Sequence, residues 1–223
     1  MTLASSRRLA TPVVGLALAV VLAACSATGS PSASAEPSTP AASGSAGASC
    51  PTAQPAPLPA GETRTVTIAT ALGDIAISVQ ADLSPIAAGN FVALAECGYF
   101  DGVVFHRAAT MLDGTPFVIQ GGDPTGTGTG GPGYTIQDEL VTTRYQRGTV
   151  AMARTSQPNS VGSQFFIVLD DAAEPPLVSA NTYQIIGSVA SGMETADAIH
   201  AAAGGEELPA DPVVMDRVTV SNP

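Results

Sequence analysis

Apolar and polar residues alternate over residues 65–70 (TVTIAT) and 74–79 (DIAISV), with Leu72-Gly73-Asp74 between the two runs. Side chains of a strand point to opposite faces in turn, so the pattern predicts a hairpin of two half-buried strands. The period then changes. Ala87, Phe91, Leu94 and Ala95 fall at i, i+4, i+7 and i+8, one face of a helix. Ser84 stands at its N-cap, Pro85 suits the first helical position, where a missing N–H costs nothing, and Gly98 supplies the stop. Further short apolar runs predict strands over 103–107, 117–120, 148–153, 165–169, 183–189 and 213–220. A second helix is predicted over 193–203, ended by Gly204-Gly205. Many short strands and two helices predict a mainly β fold, a closed antiparallel barrel with helical plugs, because closure leaves no unpaired edge. There is no internal repeat.

The N-terminal third reads differently. Arg7 and Arg8 precede an apolar run of 14 residues, Leu9 to Leu22, and Ala23-Ala24-Cys25 follows. That run is shorter than the roughly 20 residues a bilayer span needs. Small residues directly before a cysteine resemble a bacterial lipoprotein signal, cleaved before Cys25 with lipidation of its thiol. The alternative is an ordinary secretory signal. Residues 26–49 are almost entirely Ser, Ala, Pro and Gly, and Pro and small residues continue to about Gly61. Such a composition buries too little apolar area to offset its chain entropy. The expected organisation is therefore a signal at 1–24, a lipid-anchored disordered linker at 25–61 and one domain at 62–223. As a coil, the linker would span about 30–35 Å. The expected location is extracytoplasmic, with the membrane met through the lipid alone.

Charge and cysteines narrow the partners. The chain has no lysine, and without Arg7 and Arg8 the balance is 6 Arg against 19 Asp and Glu, a net −13. This argues against nucleic acid or an anionic lipid surface as a partner. With Cys25 lipidated, Cys50 and Cys97 remain, either bridged, as an exported protein allows, or as two separate thiols. Several chemistries are excluded by absence: there is no HExxH, CxxC or GxSxG motif. The two histidines, His106 and His200, are too few for a clustered metal site. His200 falls near a helix C-terminus and is expected to cap it. The glycine-rich run 126–131 lacks the Lys-Ser or Lys-Thr of a phosphate cradle and is expected to be a flexible surface loop. No cofactor is expected.

Five blocks, taken in order, carry a resemblance. Phe105-His106-Arg107, FVIQGGD at 117–123, the glycine-rich run, Ala151-Met152-Ala153 and GSQFFI at 162–167 resemble the signature blocks of cyclophilins, the cyclosporin-type peptidyl-prolyl cis-trans isomerases. Gly73-Asp74-Ile75 and NFVALAECGYFDG at 90–102 extend it over residues 65–220. The resemblance implies an eight-stranded antiparallel barrel with a helix at each end, and turnover of X-Pro bonds; the expected location points to unfolded or exported chains as clients, and nothing in the sequence demands more than a monomer.

It also implies roles. Arg107 matches the family's catalytic arginine, and Gln120 the residue that orients it. Phe117, Val118, Phe166 and Leu177, with Tyr183 at the edge, match the proline pocket, though each also suits plain barrel core. Gln164 and the backbone at Ala153 and Arg154 match the edge that grips the peptide. His106 is expected to be a satisfied structural histidine, facing away from Arg107 as strand neighbours do. Three departures stand out. Nine residues, 108–116, separate Arg107 from Phe117 where a shorter turn is usual. Arg154 replaces an asparagine. The pocket-rim tryptophan is missing, with Pro176 nearest its place, so weak cyclosporin binding is expected. Two other functions fit the chain less fully: a non-catalytic peptide-binding chaperone using the same groove, and a structural surface lipoprotein.

Overall fold

The computed structural model describes residues 49–180 and 183–222; the expected signal peptide, Cys25 and the linker up to residue 48 lie outside them. Among the described residues the order is β1 (Thr63–Thr70), β2 (Gly73–Gln80), α1 (Pro85–Glu96), β3 (Arg107–Thr110), β4 (Pro116–Gly121), β5 (Thr149–Met152) and β6 (Phe165–Val168). A 3-10 turn (Asp171–Ala173), α2 (Glu174–Ala180), β7 (Ile185–Ser191), α3 (Met193–Ala202) and β8 (Arg217–Ser221) complete it.

The eight strands form one antiparallel sheet in the order β3-β4-β6-β5-β7-β2-β1-β8. The first hairpin pairs as expected, Thr70 opposite Gly73. The sheet is an open half-barrel rather than the closed barrel expected, because no ladder joins β3 to β8. The segments before them meet instead through a single bridge, Val104 to Val214, and three backbone bonds among Gly102, Val103, Phe105, Val213 and Met215. The expected strands over 103–107 and 213–220 therefore begin late, at Arg107 and Arg217.

The concave side holds the main core. Ile68, Ile75, Ile77, Ile119, Ile167 and Phe165 from the sheet pack against Phe91 and Leu94 of α1. The Phe91 and Phe165 rings meet edge to face at 5.0 Å. Ser84 does precede α1, but its hydroxyl makes no capping bond. The Glu139 carboxylate caps the helix instead, accepting from the N–H groups of Ile86 and Ala87 at 2.9 Å each. A carboxylate there also meets the positive end of the helix dipole. The helix α2 was not expected. Asp170 caps the turn before it by accepting from the Ala172 N–H at 2.8 Å, and Pro175 and Pro176 sit in the first turn, where no N–H is needed.

Packing begins before the expected boundary at residue 62. Cys50 is disulfide-bonded to Cys97 at the end of α1. Leu58 is buried, its N–H donating to Pro85 O at 2.9 Å, and Gly61 N–H donates to Asp82 Oδ1 at 2.9 Å. The strap of residues 50–61 crosses α1 at Gly89, where a Cβ would stand 2.4 Å from Ala56 O. Glycine is what allows the two backbones to approach so closely.

Candidate active site

Strand register assembles the site. Arg107 lies opposite Gln120, Gln120 opposite Phe166, and Phe166 opposite Ala151. Residues directly opposite in an antiparallel pair share a face, so the four form one row across β3, β4, β6 and β5. The neighbours Ala108, Ile119, Ile167 and Val150 enter the main core, which puts the row on the other, convex face. With strands about 4.8 Å apart, two spacings place Arg107 and Phe166 within reach of an extended arginine.

The convex face carries a second apolar cluster. Phe166, Val118, Val168, Ala109, Ala151 and Ile185 come from the sheet. Leu177 of α2, Ala173 and Tyr145 close over it, with Phe117, Ala153 and Tyr183 at its partly exposed margin. The Phe166 and Tyr183 rings stand perpendicular at 5.2 Å. Tyr145 OH donates to Tyr183 O at 2.8 Å and fixes that edge. All five expected pocket residues thus meet in one cluster. Val118, Leu177 and Phe166 are its floor, buried to 2%, 4% and 4% exposure, so the surface a ligand can touch comes from Phe117 and Tyr183 at the margin. Pro176, in the place of the rim tryptophan, is exposed.

A chain of polar contacts runs alongside. Arg107 Nη1 donates to Gln120 Oε1 at 3.3 Å, and Gln120 Nε2 donates to Gln164 Oε1 at 2.9 Å. Gln164 Nε2 donates in turn to Gly128 O at 3.0 Å and Gly130 O at 2.9 Å. The glycine-rich loop is thus anchored, contrary to the flexible loop expected. Its second anchor is Asp123, fully buried. The Asp123 carboxylate accepts from Thr125 N–H at 2.7 Å, Thr125 Oγ1 at 2.8 Å, Thr127 N–H at 3.2 Å and Gly130 N–H at 3.0 Å. Burial alone would raise its pKa. Donation from the backbone of Gly130, from Thr125 and from Gly128 outweighs burial and holds the carboxyl down at about 2.

Between the loop and β5 lies a cleft of about 770 Å³, lined by Gln120, Gln164, Ala153, Arg154, Tyr134 and the loop backbone. Gln120 is where the cleft meets the Arg107–Phe166 row. Arg154 forms the wall: its Nη1 lies 3.0 Å from Asp138 Oδ1, and its Nη2 donates to Gln157 O at 2.8 Å. Ala153 N–H is occupied by Gln164 O at 2.8 Å, so it is not open to a peptide.

His106 precedes β3 and, contrary to expectation, is not satisfied. It is buried, and neither ring nitrogen has a hydrogen-bond partner among the described residues. Burial lowers its pKa, nearby Asp123 opposes this and Arg107 adds to it, so the neutral ring is favoured. His200 lies in the last turn of α3, as expected, but its ring bonds outside the helix. Its Nε2 lies 3.0 Å from Ala109 O and 3.1 Å from Thr110 Oγ1, joining α3 to β3.

A family model for cyclophilin-type peptidyl-prolyl cis-trans isomerases matches residues 65–220, which hold the whole row and its flanking cleft. The chain belongs to the cyclophilin family of peptidyl-prolyl isomerases. It is 40% identical over 166 residues to a peptidyl-prolyl cis-trans isomerase of Arabidopsis thaliana, covering 71% of this chain and 98% of the plant protein. It is 36% identical over 178 residues to peptidyl-prolyl cis-trans isomerase A of Mycobacterium tuberculosis, covering 71% and 93%. The crystal structure of a cyclophilin-type isomerase from Cryptosporidium parvum matches with a TM-score of 0.62 at 33% identity, over 72% of this chain and 99% of that one.

Sequence reading missed Asp123, which anchors the loop beside the cleft, Glu207, which pairs with Arg107, and Glu139, which caps α1. Asp123 carried a signal, since an aspartate before Thr-Gly repeats suits an Asx turn. Glu139 and Glu207 carried none, because each acts on a partner more than 50 residues away.

Proposed function

We propose that this cyclophilin accelerates rotation of X-Pro bonds in exported polypeptides, with Arg107 stabilising the rotated amide. The observation that carries the proposal is the row Arg107–Gln120–Phe166, which sets a cation beside an apolar cluster on one face. Rotation breaks amide resonance, at a barrier of roughly 18–20 kcal/mol. Midway, the proline nitrogen regains a lone pair and can accept a hydrogen bond. A guanidinium N–H that meets it stabilises the transition state over both planar forms. Gln120 orients Arg107 through Nη1. Phe117 and Tyr183, over the buried Phe166, receive the pyrrolidine ring, while Gln164, Ala153 and Arg154 border the cleft that takes the adjoining peptide. Water shed at the apolar margin strengthens the one polar contact.

The test is a protease-free cis-trans assay of the wild type and Arg107→Ala. A charge-assisted hydrogen bond contributes about 1.5–3 kcal/mol, so kcat/KM should fall roughly 10- to 100-fold. Equal activity of the two proteins would reject the role of Arg107. No activity in either would favour a peptide-binding chaperone that uses the cleft.

The setting is part of the proposal. Ala23-Ala24-Cys25 supports lipid attachment at Cys25 and an extracytoplasmic, membrane-held monomer whose clients are unfolded exported chains. The Cys50–Cys97 bond supports an oxidising compartment. Retention of Cys25→Ser protein at the membrane of the producing cell would count against the anchor.

A further inference from the structure

We infer that Glu207 is a positioning residue for the isomerase reaction: its carboxylate holds the Arg107 guanidinium by one edge and leaves Nη1 to serve the proline amide. This rests on the role proposed above for Arg107.

Glu207 lies between α3 and β8, 100 residues along the chain from Arg107. It reaches β3 in two independent ways. Its main-chain oxygen accepts from the Ala108 N–H at 2.9 Å. Its Oε1 accepts from Arg107 Nε at 2.7 Å and lies 2.7 Å from Nη2. The backbone of this loop is tied from behind. Glu206 N–H donates to Ala203 O at 3.0 Å, and His200 joins α3 to Ala109 and Thr110 of β3. The carboxylate therefore starts from a point fixed relative to Arg107.

The two ends of the guanidinium are held unequally. Glu207 takes the Nε and Nη2 edge at short distance, with full charges on both partners. Gln120 takes Nη1 at 3.3 Å, a long bond to a neutral acceptor. The nitrogen that can turn to a substrate with least loss is Nη1, and it is the one on the Gln120 side, toward the row that ends in Phe166. A long side chain that is about a third exposed would otherwise sample many rotamers. An exposed ion pair contributes little to stability, so holding this cation in place is the effect that remains measurable.

The neighbouring carboxylate also weakens the field of the arginine, which would oppose catalysis. Positioning of the guanidinium outweighs that loss of field, so removing the carboxylate lowers the rate. Steady-state isomerase kinetics would be measured on the wild type, Glu207→Ala, Glu207→Gln, Arg107→Ala and the Arg107→Ala/Glu207→Ala double variant, all as the purified full chain. We expect Glu207→Ala to lower kcat about two- to fivefold, the span an exposed ion pair's strength translates into, with KM unchanged. Glu207→Gln keeps an acceptor for Nε and should recover part of the loss. In the Arg107→Ala background, Glu207→Ala should have no further effect. Amide exchange at Ala108 should match wild type, showing that the loop is still seated. An unchanged or raised kcat in Glu207→Ala, or an equal loss in both backgrounds, would overturn the inference. Wild-type activity in Arg107→Ala would instead sink the reading beneath it.

Discussion

Asp123→Asn tests how the buried carboxylate organises the cleft. The substitution is isosteric and mimics the protonated acid, so the change is one of charge and of hydrogen-bond donors, with little change of volume. In the wild type the carboxyl sits at about 2, below the ordinary aspartate value of 3.8. At about 1.4 kcal/mol per unit, ionised Asp123 stabilises the fold by about 2 kcal/mol at neutral pH. The sign follows from the depressed folded pKa. The contribution is complete above the unfolded pKa and disappears as pH falls through the folded one. The variant should therefore lie about 2 kcal/mol below wild type from pH 7 down to about 5. The gap should shrink to roughly half by pH 3 and nearly close by pH 2. For a domain of this size the neutral-pH gap is roughly 4–8 °C in Tm. Thermal unfolding of both proteins over that pH range reads it directly. A gap below 0.5 kcal/mol at pH 7, or one of equal size at pH 7 and pH 3, would refute the reasoning. The same variant should loosen Gly128 and Gly130, whose carbonyls hold Gln164, so increased amide exchange is expected at Thr127 and Gly130.

Three other outcomes are expected. Gly89→Ala would drive a methyl against the strap at Ala56 and Leu58, so it should lower stability by about 1–3 kcal/mol, read from the denaturant midpoint; a neutral effect would mean the strap does not rest on α1. Reducing the Cys50–Cys97 bond, which closes a separation of 47 residues, should lower stability by up to about 4 kcal/mol, measured by denaturation with and without reductant. A count of two free thiols at these positions in unreduced protein would contradict the bond. Cyclosporin should inhibit the isomerase assay weakly, since exposed Pro176 offers no aromatic rim, and tight inhibition would show that the rim is dispensable.

Local pattern was enough for most elements. The period-two runs at 65–70 and 74–79 became β1 and β2, and the spacing of Ala87, Phe91 and Leu94 became α1, because alternation and the helical repeat are properties of neighbours along the chain. Arg107, Gln120 and Phe166 were singled out because the short blocks that hold them resemble those of cyclophilins; taken alone, each also suited a surface ion pair or plain barrel core. Tertiary structure decided what depends on distant partners. It supplied Glu139 in place of the Ser84 hydroxyl as the cap of α1. It drew the low-complexity strap at 50–61 onto Gly89 through a disulfide and one buried leucine, which composition alone could not reveal. It left the barrel open, since whether β3 meets β8 depends on backbone bonds between segments over a hundred residues apart. It also set Glu207 against Arg107, a contact with no local signature because two charges far apart in sequence meet only once the sheet and α3 fix the distance between them.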